Sequence, residues 1–334
     1  MPRFEERGPR IAVSQATRVD KVHPRAKALR VLVALVSVLV ALIMLLPVGV
    51  MVISAMKTRS DVMSSPPKVL FKPTLEGFVL LLTDRAVVSQ ARQDELREEA
   101  NNGKLGLFAR IALDTGMEIT GPSNYVARLR NSVIIAGTST VTSVLLGLFA
   151  AYAFSRFAMK GKNDLLFFIL STRMLPAVVV TIPLFLMYRQ LGLHDKHLGM
   201  IILYTVFNLS FSVWLLKGFI DEIPREYEEA ALVDGYTRMQ AFFRIVLPQA
   251  VSGIAATVVF CLIFAWNEFA FALMLTSQRA RTAPVGIATM MGRGGIEWSA
   301  IAAGAVGFLI PVVIITFALR KYLLRGITFG AIRG

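Results

Sequence analysis

The sequence predicts an all-α integral membrane protein with six transmembrane helices, on three observations. Of its 334 residues 55% are hydrophobic and only 17% charged, with a mean hydropathy of +0.61, a composition too apolar for an ordinary soluble globule. The apolar residues gather into six runs of 21–26 residues: Val31–Met56, Ser132–Phe154, Leu165–Leu186, Leu198–Phe219, Val251–Leu275 and Ser299–Leu319. A helix needs roughly 20 such residues to cross a hydrocarbon layer of about 30 Å, whereas barrel strands are half as long and alternate in polarity. Finally, the basic residues concentrate on one side of these runs. A net charge of +14 would suggest nucleic acid as a partner of a soluble protein, but here it is read by position, as topology.

Residues 1–30 form a basic tail with Arg3, Arg7, Arg10, Arg18, Lys21, Arg25, Lys27 and Arg30, which predicts a cytoplasmic N-terminus. Span one follows over 31–56. Its length and Pro47 argue against a cleaved signal peptide, whose apolar region has only about 7–15 residues. With six spans both termini share a side. Arg156, Lys160 and Lys162 after span two, and Arg320, Lys321, Arg325 and Arg333 in the tail 320–334, fall on that same side.

Between spans one and two, residues 57–130 form an external, partly helical segment balanced in charge. Its amphipathic stretch Asp84–Ala100 ends at a predicted break, Asn101–Asn102–Gly103, and the segment is expected to make a small cap or hairpin. Residues 131–319 are the transmembrane core. The single cysteine, Cys261, excludes an intrachain disulfide and a cysteine-cluster metal site. His194 and His197 read as solvated loop residues, and no phosphate-binding glycine-rich loop is present.

Two ionisable residues lie within predicted spans, Arg173 in span three and Glu268 in span five. Each costs at least a few kcal/mol in lipid without a partner or a watery cavity. Together with Trp266 and Asn267 they are candidates for a polar translocation path. The alternative is local packing, with Arg173 snorkelling or bonded to a carbonyl and Asn267 paired with Glu268.

The connection 220–250 contains Ile223–Pro248, too polar to span and too patterned to be slack. Pro224 and the acids Glu226, Glu228 and Glu229 suit a helix start, Gly235 a stop, and Thr237 with Gln240 a capping box for a second helix. Ala230 and Ala231 leave room for another protein's surface, with Phe242, Phe243 and Ile245 as anchors.

Glu229, Ala230, Ala231, Gly235, Ile245, Leu247 and Pro248 reproduce the spacing of the EAA motif, and the chain resembles the permease subunits of ATP-binding cassette importers over nearly its whole length. Asn131–Ser132, Ala150–Phe157, Trp266–Phe269 and Arg325–Gly334 resemble the second permease of maltose-type carbohydrate importers. The resemblance implies the type I importer permease fold and a cytoplasmic coupling helix, with Asp234 among its ATPase-coupling residues. It implies a non-catalytic transport subunit of the bacterial inner membrane that binds no cofactor itself, ATP and Mg being held by a partner ATPase. Its implied partners are a different permease, two ATP-binding subunits and an external solute-binding protein, and nucleic acid is not among them. The loop Ser277–Trp298, with Gly286, Gly292, Gly294 and Gly295, would face the binding protein.

The implied cargo is a sugar, oligosaccharide, polyol or related glycoside. Glycerol-phosphate or another small polar solute is the alternative, and a secondary transporter or intramembrane enzyme using Arg173 and Glu268 a more distant one. In the maltose system the sugar contacts mainly the other permease. The tail and the 57–130 segment are long for this subunit type, so the outer docking surface does not transfer in detail.

Overall fold

A computed structural model describes residues 24–292 and 295–330. The chain divides into two compact units, residues 1–50 and 51–334. The first consists, among the described residues, of most of α1 (Pro24–Ala55), a helix apolar on every side that contains Pro47. Its 32 residues at 1.5 Å each give about 48 Å, beyond the roughly 30 Å of hydrocarbon.

The second unit begins with the segment expected to cap the bundle. After α2 (Arg59–Val62) and α3 (Glu76–Leu82), β1 (Thr83–Val87) pairs antiparallel with β2 (Met117–Pro122), enclosing α4 (Gln90–Asn101) and α5 (Leu107–Asp114). The predicted amphipathic stretch from Asp84 is therefore half wrong: its first residues join a strand with a bulge at Asp84/Arg85, and the helix starts only after Ser89, whose hydroxyl accepts the Arg92 N–H. The break lies where predicted, with Gly103 in the left-handed region at φ +73°.

Three uninterrupted helices then form the frame: α6 (Tyr125–Arg156), α9 (His197–Asp221) and α16 (Trp298–Gly330). With α1 they are, among the described residues, the four helices long and apolar enough to cross a membrane alone. Predicted span three is not one helix. α7 (Lys162–Ser171) and α8 (Ala177–Gln190) meet at 90° across a 3₁₀ turn at Thr172–Met174, because Pro176 has no N–H to continue the ladder and holds Leu175 extended at ψ 125°. Predicted span five is interrupted as well. α13 (Val251–Trp266) stops at Asn267, and α14 (Ala270–Leu275) restarts after Phe269.

The polar connection folds as α10 (Glu226–Val233), α11 (Arg238–Ala241), a π-helical turn Phe242–Val246 and α12 (Leu247–Gln249), bent 73° from α13. Beyond α14 come α15 (Ala283–Ala288) and the two-residue strands β3 (Met291–Gly292) and β4 (Gly295–Ile296).

In lipid the pull between helices comes from close packing and hydrogen bonds. Gly147 of α6 lies so near Ser212 of α9 that an added Cβ would stand 2.5 Å from the serine Cβ, and Gly253 of α13 lies directly under the Phe219 ring. Around these approaches Val144, Leu148, Leu216, Ile220, Phe242, Val246 and Cys261 make one core cluster; Ile135, Met200, Leu203, Tyr204, Trp266 and Phe271 make another. Asn208 donates to the Cys261 carbonyl at 3.0 Å, joining α9 to α13.

At the other end of the frame, the side chains of Asn131 and Asp195 fix the chain between α14 and α15. Asn131 Nδ2 donates to the carbonyls of Arg279 (2.8 Å) and Arg281 (3.0 Å), while its Oδ1 meets His197 Nε2 at 2.8 Å. Asp195 accepts the N–H groups of Ser277, Gln278, Arg279 and Ala280 at 2.9–3.1 Å. Burial by itself would raise its pKa, but the four donors outweigh that and hold it below the ordinary value. His197 is thus a cross-link, and His194 packs edge-on against Phe185 at 5.3 Å; the expectation of two solvated loop histidines is corrected.

Candidate functional site

Two places gather the residues singled out by sequence. The first is the segment from Glu226 to Gln249. α10 begins with Glu226, Glu228 and Glu229, acids that favour the positive end of a helix, but Glu228 does more than this. Only 7% exposed, it is ion-paired with Arg156 Nε at the last turn of α6 and accepts the Tyr152 hydroxyl at 2.9 Å. Arg156 Nη2 also donates to the Ile223 carbonyl (2.9 Å), and Arg225 Nη2 to the Ser155 carbonyl (2.8 Å). Ser155 Oγ in turn donates to Asp221 at 2.6 Å, and Lys217 pairs with Asp221. The start of the connection is thereby clamped to the end of α6.

α10 ends in a left-handed residue, Gly235 at φ +88°, with the N–H of Tyr236 returning to the Ala231 carbonyl at 3.0 Å. The Thr237–Gln240 capping box is present in both directions, at 3.3 and 2.8 Å. Two expectations need correction. Ala231 is 5% exposed and packs inward, so only Ala230 of the pair is open to an approaching surface. Phe242 is the buried anchor, between Tyr152 (4.7 Å) and Phe149 (5.6 Å), whereas Phe243 is half exposed. Ile245 and Leu247 are half-buried, and Glu229, Asp234 and Pro248 lie on the surface.

The exposed face also carries Tyr227, Met239 and Val233, the last 88% exposed. They are large apolar side chains left uncovered in a segment outside the predicted spans. Sequence reading missed their exposure because apolar residues in two helices of eight and four residues look like core.

The second place is the pair of interrupted helices. Arg173 sits in the 3₁₀ turn between α7 and α8, its guanidinium 4.0 Å from the Phe264 ring centre and 5.1 Å from that of Phe211. Glu268 sits at the break between α13 and α14 and caps the new helix, accepting from Phe271 N–H (2.8 Å) and Ala272 N–H (3.1 Å) and from the Tyr204 hydroxyl (2.6 Å). The breaks bring the two residues to one cavity of about 190 Å³, with Tyr204, Phe207, Asn208, Phe264 and Phe271.

They form no ion pair within 4.0 Å. Glu268 has its donors from the protein, while Arg173 Nη1 is buried without an acceptor.

Trp266 and Asn267 do not line this cavity. Trp266 is 3% exposed, stacked on Phe308 at 4.9 Å, and donates to the Phe308 carbonyl at 3.3 Å; it ties α13 to α16. Asn267 bonds back to the Ile263 carbonyl at 2.9 Å instead of to Glu268. Gly286 lies in α15, buried beneath Arg128, and not in an open loop; Gly292 and Gly295 face each other across the β3–β4 pair, and Gly294 lies outside the described residues.

Residues 143–329 match the family described as binding-protein-dependent transport system inner membrane component. The chain is 31% identical to the trehalose/maltose transport system permease protein MalG of Thermococcus litoralis, over 91% of this chain and 97% of that one. It is 37% identical to the trehalose transport system permease protein SugB of Mycobacterium tuberculosis, over 70% and 86%. Among solved structures, a bacterial ABC transporter involved in import of the acidic polysaccharide alginate superposes with a TM-score of 0.61 at 19% identity, covering 90% of this chain and 98% of that one; the fold is shared.

Proposed function

Because the chain belongs to the family of binding-protein-dependent transport system inner membrane components, we propose that it is one permease subunit of an ATP-driven importer and that its cargo is a sugar, oligosaccharide, polyol or related glycoside. The names of the trehalose and maltose relatives support the cargo. The observation that carries the mechanism is the clamp of Glu228, Arg156 and Tyr152. It ties a surface helix with exposed apolar side chains to the end of a membrane-crossing helix, so a push on α10 is delivered to α6 through this clamp.

In this reading the coupling end and both termini face the cytoplasm, in keeping with the basic tail and the basic turn after α6. Glu229, Ala230, Asp234 and Gly235 meet an ATP-binding subunit, with Ile245, Leu247 and Pro248 behind them. ATP and Mg belong to two such subunits, a different permease completes the membrane pair, and a solute-binding protein docks at the opposite end. ATP and the loaded binding protein each stabilise one arrangement of the paired bundles, and that difference in affinity drives alternating access. The cavity at Arg173 and Glu268 is the place where this chain touches the route, its guanidinium donating to a hydroxyl oxygen of the solute.

The test is Glu229→Lys and Gly235→Asp in the complete importer. Both variants are expected to reach the membrane with the chain folded, yet to lose the link between solute-dependent uptake and ATP hydrolysis. Normal uptake by both would overturn the reading.

A further inference from the structure

A cavity of about 680 Å³ lies far from both places described above, among β1, the first turn of α6, the chain joining α14 to α15, and the residues flanking the β3–β4 pair. Arg128 on its wall and Arg156 in the coupling clamp stand 28 residues apart on α6, roughly 42 Å at 1.5 Å per residue, so it is at the end opposite the coupling segment.

Three guanidinium groups line it, each from a different element: Arg85 from β1, Arg128 from α6 and Arg281 from the chain before α15. Their donors are largely unused. Arg85 Nε and Arg281 Nε are buried with no acceptor, and Arg85 Nη1 reaches only the Met117 sulfur at 3.7 Å, a weak acceptor. Arg128 makes no hydrogen bond or ion pair within 4.0 Å, and its stem lies flat on α15 because position 286 is glycine; a Cβ there would collide with Arg128 Cδ.

Two acids share the cavity. Glu297 gives one oxygen to Arg59 at 3.4 Å, and Asp84 is exposed without an ion-pair partner within 4.0 Å. Glu297 keeps its second oxygen buried without a donor, yet three arginines against two acids still leave the lining with positive charge in excess, which an anion from elsewhere would balance. A guanidinium fork fits a carboxylate best, through two parallel N–H···O bonds. The cavity shares no lining residue with the one at Arg173 and Glu268.

We infer that Arg85, Arg128 and Arg281 form a socket for a carboxylate side chain of the solute-binding protein docked on this end, with Gly286 as the seat that lets Arg128 reach it. The inference rests on the importer reading above, which supplies a binding protein at this end, and on the charge of the socket, which supplies the chemistry of the contact.

The test uses the complete importer in lipid nanodiscs with its solute-loaded binding protein titrated in, reading the concentration that half-maximally stimulates ATP hydrolysis. Arg281→Glu and Arg85→Glu are each expected to raise that concentration about tenfold or more, and raising salt from about 50 to about 300 mM to weaken wild-type docking severalfold but to leave Arg281→Glu nearly insensitive. Should a charge-reversed chain fail to assemble, Arg281→Gln and the wild-type salt series decide. Docking indifferent to salt and to Arg281→Gln overturns the inference. It is equally overturned, in favour of a free sugar acid, if millimolar glucuronate raises the melting temperature of the wild type but not of Arg281→Gln while docking is unchanged. Absence of any stimulation of the wild type by binding protein is a different failure, that of the importer reading itself.

Discussion

Replacing Glu228 by alanine removes the acceptor of both the Arg156 Nε and the Tyr152 hydroxyl. It leaves a guanidinium, only 6% exposed, with the Ile223 carbonyl at 2.9 Å and the Ser155 hydroxyl at 3.1 Å as its remaining acceptors. Breaking one side of a buried ion pair costs about 3–5 kcal/mol, most of it the stranded charge, whereas replacing both members by apolar groups of similar volume is close to neutral. Glu228→Leu, which strands the guanidinium in the same way, and Arg156→Met are each expected to fall in that range. The double variant Glu228→Leu/Arg156→Met is expected to cost less than either, apart from about 1 kcal/mol for the Ile223 carbonyl left unpaired.

The measurement is a double-mutant cycle by denaturant unfolding in mixed micelles, followed by tryptophan fluorescence. A coupling of at least about 2 kcal/mol is expected. Strictly additive losses, with an interaction energy below about 0.5 kcal/mol, would refute the argument that α10 and α6 are joined through this pair.

Asp195 provides a pH test. Its carboxyl is depressed below the ordinary 3.8, so the stability it adds is fully present above that value and lost as the pH falls through its folded-state pKa. The gap in melting temperature between wild type and Asp195→Asn should therefore be constant near neutrality and shrink below about pH 3.8; a gap that widens on acidification contradicts the sign. Arg173→Met keeps the stem and removes a buried donor with no acceptor, a group that costs about 1–3 kcal/mol when unsatisfied, so stability should hold or rise while the uptake KM increases about tenfold. Lost stability with unchanged uptake would make Arg173 a packing residue.

Local chemistry explains which features are legible in the sequence. The turn at Gly235 and the capping box of Thr237 and Gln240 depend on residues within a few positions of one another, so their geometry follows from the local chain. Pro176 was a readable sign that span three is broken, overridden because hydropathy averaged across it. The strand at Thr83–Val87 was not readable, since it exists only by pairing with Met117–Pro122.

The apolar runs and the coupling turn were determined by the sequence alone because the bilayer and the helix cap both act locally: one demands that backbone groups be satisfied within a segment, the other joins side chains to the nearest free N–H groups. Tertiary structure decided the rest. Glu228 is 72 residues from Arg156, and Asp195 is 82 to 85 residues from the N–H groups it caps. Arg173 and Glu268 reach one cavity only because two helices break at the same place in the bundle. A buried charge takes its role from the atoms that desolvate and bond it, and those are chosen by packing between helices, over distances along the chain that no local pattern encodes.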